Sequence, residues 1–206
     1  VNTFKQIGVI GSGAMGRGIA QLFATAGVPV LLYDSRSEAT QEALQANRAL
    51  LERAAAKGKL SREALAGALA CMGAATHLEA LADCDLLIEA IVENLEAKQG
   101  LFRALEQVVR ADAVLATNTS SLSVSLIASA CRHPERVAGF HFFNPVPLMK
   151  IVEVVRGELT DPQVIERLAT LAGHAGHFAA TTPDSPGFLV NHAGRAFGPE
   201  ALRILG

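Results

Sequence analysis

The sequence predicts an α/β fold built on a doubly wound, mostly parallel sheet. Three observations lead there. Short apolar runs of strand length alternate with longer helical patterns, as consecutive βαβ units require. A glycine-rich turn joins the first run to the first helix. Half of the 206 residues are hydrophobic and Trp is absent, which fits a helix-rich α/β chain. A chain of this length buries a core without disulfides or metals.

The first apolar run, Ile7 to Ile10, reads as a buried strand. It feeds Gly11-x-Gly13-x-x-Gly16 and a helix over 15–26 with an apolar face at Ile19, Leu22 and Phe23. Gly11 permits the tight turn, Gly13 lets a pyrophosphate approach the backbone, and Gly16 lets the helix pack close to the strand. Ala14 and Met15 lie in the same turn and join the candidates, because free N–H groups at a helix start face an anion. A second strand, 28–33, ends in Asp34, 18 residues after Gly16. A carboxylate there accepts from adenosine ribose hydroxyls and repels a 2′-phosphate. The whole pattern predicts a Rossmann-type sheet holding a dinucleotide, NAD rather than NADP. Strand-end capping is the plainer job open to Asp34.

A helix over 37–57 stops at Gly58-Lys59, and Ser61 caps a second over 62–70. The two make an antiparallel hairpin larger than a crossover needs. Its Arg48, Arg53, Lys57 and Lys59 suit either a solvated face or the phosphates of a large anionic ligand. Residues 85–91 are the next buried strand, followed by a helix over 95–109 with Glu96, Lys98 and Glu106 at polar positions. Strand 114–117 runs into Asn118-Thr-Ser-Ser-Leu122, which turns into a helix. Strands 137–142 and 150–156, a helix over 162–172 and a strand over 177–182 complete the alternation. Pro183 and Pro186 mark a boundary. Beyond them 188–205 reads as one helix with apolar surface to bury.

A net charge of −2 without a basic stripe argues against a nucleic-acid partner. Apolar runs of strand length predict no membrane span. The expectation is a chain that moves directly into its first strand without a leader. Cys71, Cys84 and Cys131 are isolated and lack CxxC spacing, so they read as reduced, mostly buried thiols of a cytoplasmic protein.

A second constellation lies further on. Phe140-His141-Phe142-Phe143-Asn144-Pro145 puts a histidine at a strand's C-terminal end, the edge where open α/β sheets bind ligands. Twelve residues later Glu153 interrupts an otherwise apolar strand, and a buried carboxylate is costly unless paired. Pairing it with His141 fixes the imidazole tautomer and leaves the other ring nitrogen as a base. A satisfied core histidine beside a salt-bridged glutamate is the bland alternative. The Asn118–Ser121 turn sits beyond another strand end, where Ser and Thr most often cap helices. Spacing alone makes Asn191 an exposed helix residue.

These residues together resemble the L-3-hydroxyacyl-CoA dehydrogenase family. The resemblance is carried by Gly-Ser-Gly-Ala-Met-Gly-Arg-Gly-Ile-Ala (11–20), Glu-Ala-Ile-Val-Glu-Asn-Leu-Glu-Ala-Lys (89–98), Thr-Asn-Thr-Ser-Ser-Leu (117–122), the stretch 141–155 and Ser-Pro-Gly-Phe-Leu-Val-Asn (185–191). It implies oxidation of an L-3-hydroxyacyl-CoA to the 3-ketoacyl-CoA, with hydride passing to NAD. By resemblance His141 is the base, Glu153 orients it, Ser120 bonds the substrate near the reacting oxygen and Asn191 holds the acyl end. Glu93, Lys98, Asn118 and Asn144 match family positions near the cofactor and the cleft, and the helical hairpin matches a CoA-contacting element. The tail 191–197 looks like the branch linked to phenylacetate breakdown.

Family members carry a further all-helical domain that completes the cleft and forms a homodimer. The expectation is therefore an NAD-binding domain over 1–185 and, over 186–206, the first helix of a truncated helical domain, free to self-associate through 188–205. Two other readings compete: a related NAD-dependent hydroxyacid dehydrogenase, and a non-catalytic, crystallin-like structural protein.

Overall fold

The computed structural model describes residues 4–195 and 197–205. Its strands are β1 (Ile7–Ile10), β2 (Val30–Tyr33), β3 (Met72–Ala74), β4 (Leu86–Glu89), β5 (Val114–Thr117), β6 (Val137–Phe142), β7 (Ile151–Arg156) and β8 (Phe178–Pro183). They form one sheet in the order β3-β2-β1-β4-β5-β6-β7-β8. Strands β1 to β6 run parallel, β7 runs antiparallel to β6, and β8 runs parallel to β7. The reversal has a covalent cause. Only residues 143–150 link β6 to β7, too few for the crossover that a parallel neighbour needs.

Helices α1 (Ala14–Thr25) and α6 (Pro162–His174) contribute buried apolar residues to one core cluster, while α4 (Leu95–Val108) and α5 (Val124–Ala128) contribute to a second. Most inner strands are buried along their whole length, as a parallel sheet covered on both faces demands. In the first cluster Phe23 of α1 meets Phe142 at 5.9 Å between ring centres, and Phe140 meets Phe142 at 4.6 Å. This anchors the strand that carries His141. In the second, Phe102, Leu105 and Ile127 pack against Leu87 and Leu115. Helices α2 (Ser37–Ala56) and α3 (Arg62–Ala70) form the expected hairpin, and the Ser61 hydroxyl accepts from Ala64 N–H at 3.1 Å as its cap.

Two features depart from the sequence reading. Strand β3 was not expected, because Met-Gly-Ala is short and half-buried and shows no apolar run. The single helix expected over 188–205 is instead a turn followed by α7 (Val190–Arg195) and α8 (Phe197–Leu205). Gly187 and Phe188 adopt φ of 79° and 48°, left-handed values that no α-helix accommodates. Two of the polar positions of α4 turn inward: Lys98 is 1% exposed and the Glu106 side chain 3% exposed. Among the described residues no helix is long and apolar enough to cross a membrane.

Candidate active site

The glycine turn is built by contact as well as conformation. Gly11 has φ 102°, and a Cβ there would meet the Ala90 carbonyl oxygen at 2.5 Å. A Cβ on Gly16 would collide with the carbonyl oxygen of Gly11, so the helix sits on the turn itself. Around the Cβ position of Gly13 there is nothing within 4 Å, which leaves its backbone open to a ligand. Helix α1 starts there with no acidic residue in its first turn, so the positive end of its dipole stays uncompensated.

Beside the turn lies a cavity of about 560 Å³ lined by Gly11, Gly13, Tyr33, Asp34 and Arg36, with an apolar wall from Leu78, Ile91, Val92 and Leu101. The Asp34 Oδ2 accepts from the Ser12 N–H at 2.9 Å and the Ser12 hydroxyl at 2.7 Å, and Oδ1 accepts from the Arg36 N–H at 3.1 Å. Partial burial works to raise its carboxyl, but these bonds outweigh it and hold Asp34 below the usual carboxylate range. An open glycine, a helix dipole, a carboxylate and an apolar wall fit a dinucleotide. Ala14 lines a neighbouring cavity with Arg17, Leu50 and Leu148.

A second cavity, about 440 Å³, lies at the C-terminal strand ends and is lined by Met15, Ile91, Glu93, Asn118, Ser120, His141, Phe143, Asn144 and Asn191 among others. His141 and Glu153 are directly opposed across the antiparallel β6–β7 pair. The two are buried and hydrogen-bonded, with Nδ1 and Oε2 2.6 Å apart. The imidazole neighbours the rings of Phe143 and Phe188, at 4.5 and 5.9 Å between centres. The second Glu153 oxygen, Oε1, accepts from the N–H groups of Leu189 and Val190 at 2.8 and 2.7 Å. That cap holds the start of α7 against the sheet, and from α7 the Asn191 amide donates to the Ser120 carbonyl at 3.1 Å. Asn191 therefore turns toward the cavity, where spacing alone leaves it exposed.

Glu93 organises the other side. Its Oε1 accepts from the Thr119 hydroxyl and the Ser120 N–H. Burial works to raise its carboxyl, but Thr119, Lys98 and Ser120 together hold it below the usual range. Lys98 stands behind it, between Glu93 Oε2 at 3.2 Å and the fully buried Glu89. Glu89 also accepts from the Thr117 hydroxyl and the Ile91 N–H, both at 2.7 Å. Lys98 thus reaches the cleft through Glu93 and does not line it. The Asn118 Oδ1 accepts from Phe142 N–H at 2.9 Å and locks two strand ends together.

Residues 6–184 match the family described as 3-hydroxyacyl-CoA dehydrogenase, NAD binding domain. The chain belongs to that family. It is 44% identical over 201 residues to the 3-hydroxyadipyl-CoA dehydrogenase of Escherichia coli (strain K12), covering 98% of this chain and 42% of that protein. It is 40% identical over 186 residues to the 3-hydroxybutyryl-CoA dehydrogenase of Clostridioides difficile, covering 90% of this chain and 66% of that protein. The crystal structure of 3-hydroxybutyryl-CoA dehydrogenase from Escherichia coli K12 superposes with a TM-score of 0.96 at 43% identity, over 98% of this chain and 43% of that one. The chain thus spans between about two fifths and two thirds of these relatives' lengths.

As an NAD-binding domain of this family, the chain uses NAD. Sequence reasoning gave no role to Ser12, Glu89 or Phe188. For Glu89 the signal was available, since it ends a buried apolar strand much as Glu153 interrupts one. For Phe188 none was, because an aromatic residue ordinarily avoids the left-handed region. The hairpin's basic residues remain on the surface: Arg53 Nε donates to the Ala49 carbonyl and Arg48 faces Glu52 at 3.9 Å. The described residues hold no cluster of metal ligands.

Proposed function

We propose that the chain oxidises an L-3-hydroxyacyl-CoA to the 3-ketoacyl-CoA, with NAD as hydride acceptor. The buried, directly opposed His141–Glu153 pair in a cavity beside the nucleotide turn carries this reading. The structural-protein alternative gives such a pair no purpose, and the names of the similar proteins favour acyl-CoA thioesters over free hydroxyacids.

Glu153 holds Nδ1 of His141, which leaves Nε2 for the substrate hydroxyl. As the C3–H bond breaks, the O–H proton passes to Nε2 and the C3–O bond becomes a carbonyl. NAD, when bound, takes the hydride from C3. Ser120 and Asn191 line the same cavity and fix the oxygen and the acyl end, while Phe143 and Phe188 pack beside the imidazole. A positioned base of this kind contributes about 10²–10⁴ in rate.

By the same proposal Asn118, Asn144, Met15 and Glu93 face the cofactor and cleft, and Lys98 acts by holding Glu93. Helices α7 and α8 begin a second helical unit. Leu202 and Ile204 on α8 are 72% and 73% exposed, apolar surface that supports self-association. The unpaired thiols Cys71, Cys84 and Cys131 support a reducing, cytoplasmic setting. NADH consumption with acetoacetyl-CoA, compared with free acetoacetate, tests the substrate class. Turnover confined to the thioester is expected, and turnover of the free acid alone overturns the reading.

A further inference from the structure

Asp184 stands where β8 has just ended and the chain turns toward α7. Its backbone N–H donates to the Arg156 carbonyl, at the end of β7, at 3.0 Å. Its half-buried side chain reaches across to the start of α5. Oδ2 accepts from the Ser123 hydroxyl at 2.7 Å and the Ser125 N–H at 2.8 Å, and Oδ1 accepts from the Val124 N–H at 3.1 Å. The Ser123 oxygen in turn accepts from the Leu126 N–H at 3.2 Å and caps α5. Burial works to raise the Asp184 carboxyl, but the Ser125 and Ser123 bonds outweigh it and hold it below the usual range. Three donors on one side chain require an acceptor-only group, because an amide of the same shape would turn its own N–H groups toward some of them.

Residues 123–125 are also the downstream end of the turn that carries Ser120. Upstream, Glu93 accepts the Ser120 N–H at 2.9 Å, and the Ser120 carbonyl accepts from the Asn191 amide at 3.1 Å. Val124 packs with Phe188 and Val155, so the segment that Asp184 grips also backs the turn into α7. We propose that Asp184 is a positioning residue for the dehydrogenase reaction: by fixing residues 123–125 it sets where Ser120, and through it Asn191, meets the substrate. Asp184 does not line the cavity and acts only through the turn. Glu153 thus orients the base, and Asp184 orients the groups that face it. The inference rests on the proposed oxidation of a hydroxyacyl-CoA.

Steady-state rates with acetoacetyl-CoA and NADH test it, on the native chain, Asp184→Asn, Ser120→Ala and the double variant, with NADH affinity followed by fluorescence. Asp184→Asn is expected to lower kcat/KM about ten- to a hundredfold, the scale of a misplacement near 1 Å, with NADH affinity nearly unchanged. In the Ser120→Ala background the same change should cost much less, because the hydroxyl it positions is already gone. Equal losses in the two backgrounds overturn the proposal, since a purely structural defect acts alike in both. So does an unchanged kcat/KM in Asp184→Asn, or an NADH affinity that falls as far as the rate. If Asp184→Asn does not fold, Ser123→Ala removes one donor and keeps the carboxylate, and the same comparison of backgrounds decides. A native chain that binds NADH without turnover refutes the proposed activity instead, and amide exchange then decides the positioning role. Exchange at Ser120 and Val190 should quicken in Asp184→Asn, and unchanged exchange at both overturns the proposal.

Discussion

Glu153 accepts the Val190 N–H at 2.7 Å through the carboxylate whose other oxygen holds His141. One buried side chain therefore orients the proposed base and anchors the helix that brings Asn191 to Ser120. The proposed activity and the docking of α7 are thereby linked through one side chain.

That coupling predicts a double effect for Glu153→Gln. Turnover should fall about 10²-fold or more, because the imidazole loses its orienting charge. Stability should fall by about 1–3 kcal/mol, the usual cost of weakening bonds to a buried charged group. Steady-state rates and urea unfolding, run on the same preparation, check both. A loss of rate with no loss of stability would separate the two roles.

The glycines of the turn should respond differently to the same substitution. Gly16→Ala drives a methyl into the Gly11 carbonyl and should destabilise the fold by about 1–3 kcal/mol or more. Gly13→Ala meets open space, so its melting temperature should stay near native. Its methyl should nonetheless weaken NADH binding by about tenfold, 1.4 kcal/mol, by occupying the ligand's approach. Thermal melts and NADH titrations of the two variants distinguish these outcomes.

The Glu89–Lys98–Glu93 chain should be costly to break at its cation. Lys98→Met leaves Glu89 buried without its counter-ion, a situation that costs about 3–5 kcal/mol. Adding Glu89→Gln should recover part of the loss, since the buried charge goes with its partner. A double-mutant cycle measures the coupling, and additive losses would refute it.

Acid should undo several of these contacts together. Asp34, Glu93, Glu106 and Asp184 are all held below the usual carboxylate range by hydrogen bonds that outweigh the upward push of burial. A carboxyl lowered by folding stabilises the native state fully above its unfolded value and loses that contribution as pH falls through the folded one. Stability should therefore hold above about pH 4.5, the ordinary glutamate value, and fall progressively below it. Urea midpoints measured through this acid range should show the decline, and a midpoint that rises on acidification would contradict it.

Much of this architecture was legible in the sequence because it depends on local patterns. The Gly11–Gly16 spacing, the apolar runs and the lone carboxylate inside β7 each have one economical physical explanation. The His141–Glu153 pairing was legible for that last reason, although the register that opposes the two residues was not. What escaped depends on tertiary context. The Phe188 backbone is held in a left-handed conformation while its ring is buried against Val124 and Val155, and no propensity anticipates this. Lys98 reads from the pattern only as a polar helix position until Glu89 and Glu93 are known to flank it. Strand β3 has too few apolar residues to announce itself and exists because β2 offers it an edge.

The most direct test of the proposed activity is the rate of NADH oxidation by acetoacetyl-CoA, measured for the native chain and for His141→Ala with NADH binding followed in parallel. The account predicts turnover by the native chain and a loss of about 10²–10⁴ in the variant, with NADH affinity nearly unchanged. A variant that turns over like the native chain, or a native chain that binds NADH without turnover, would contradict it.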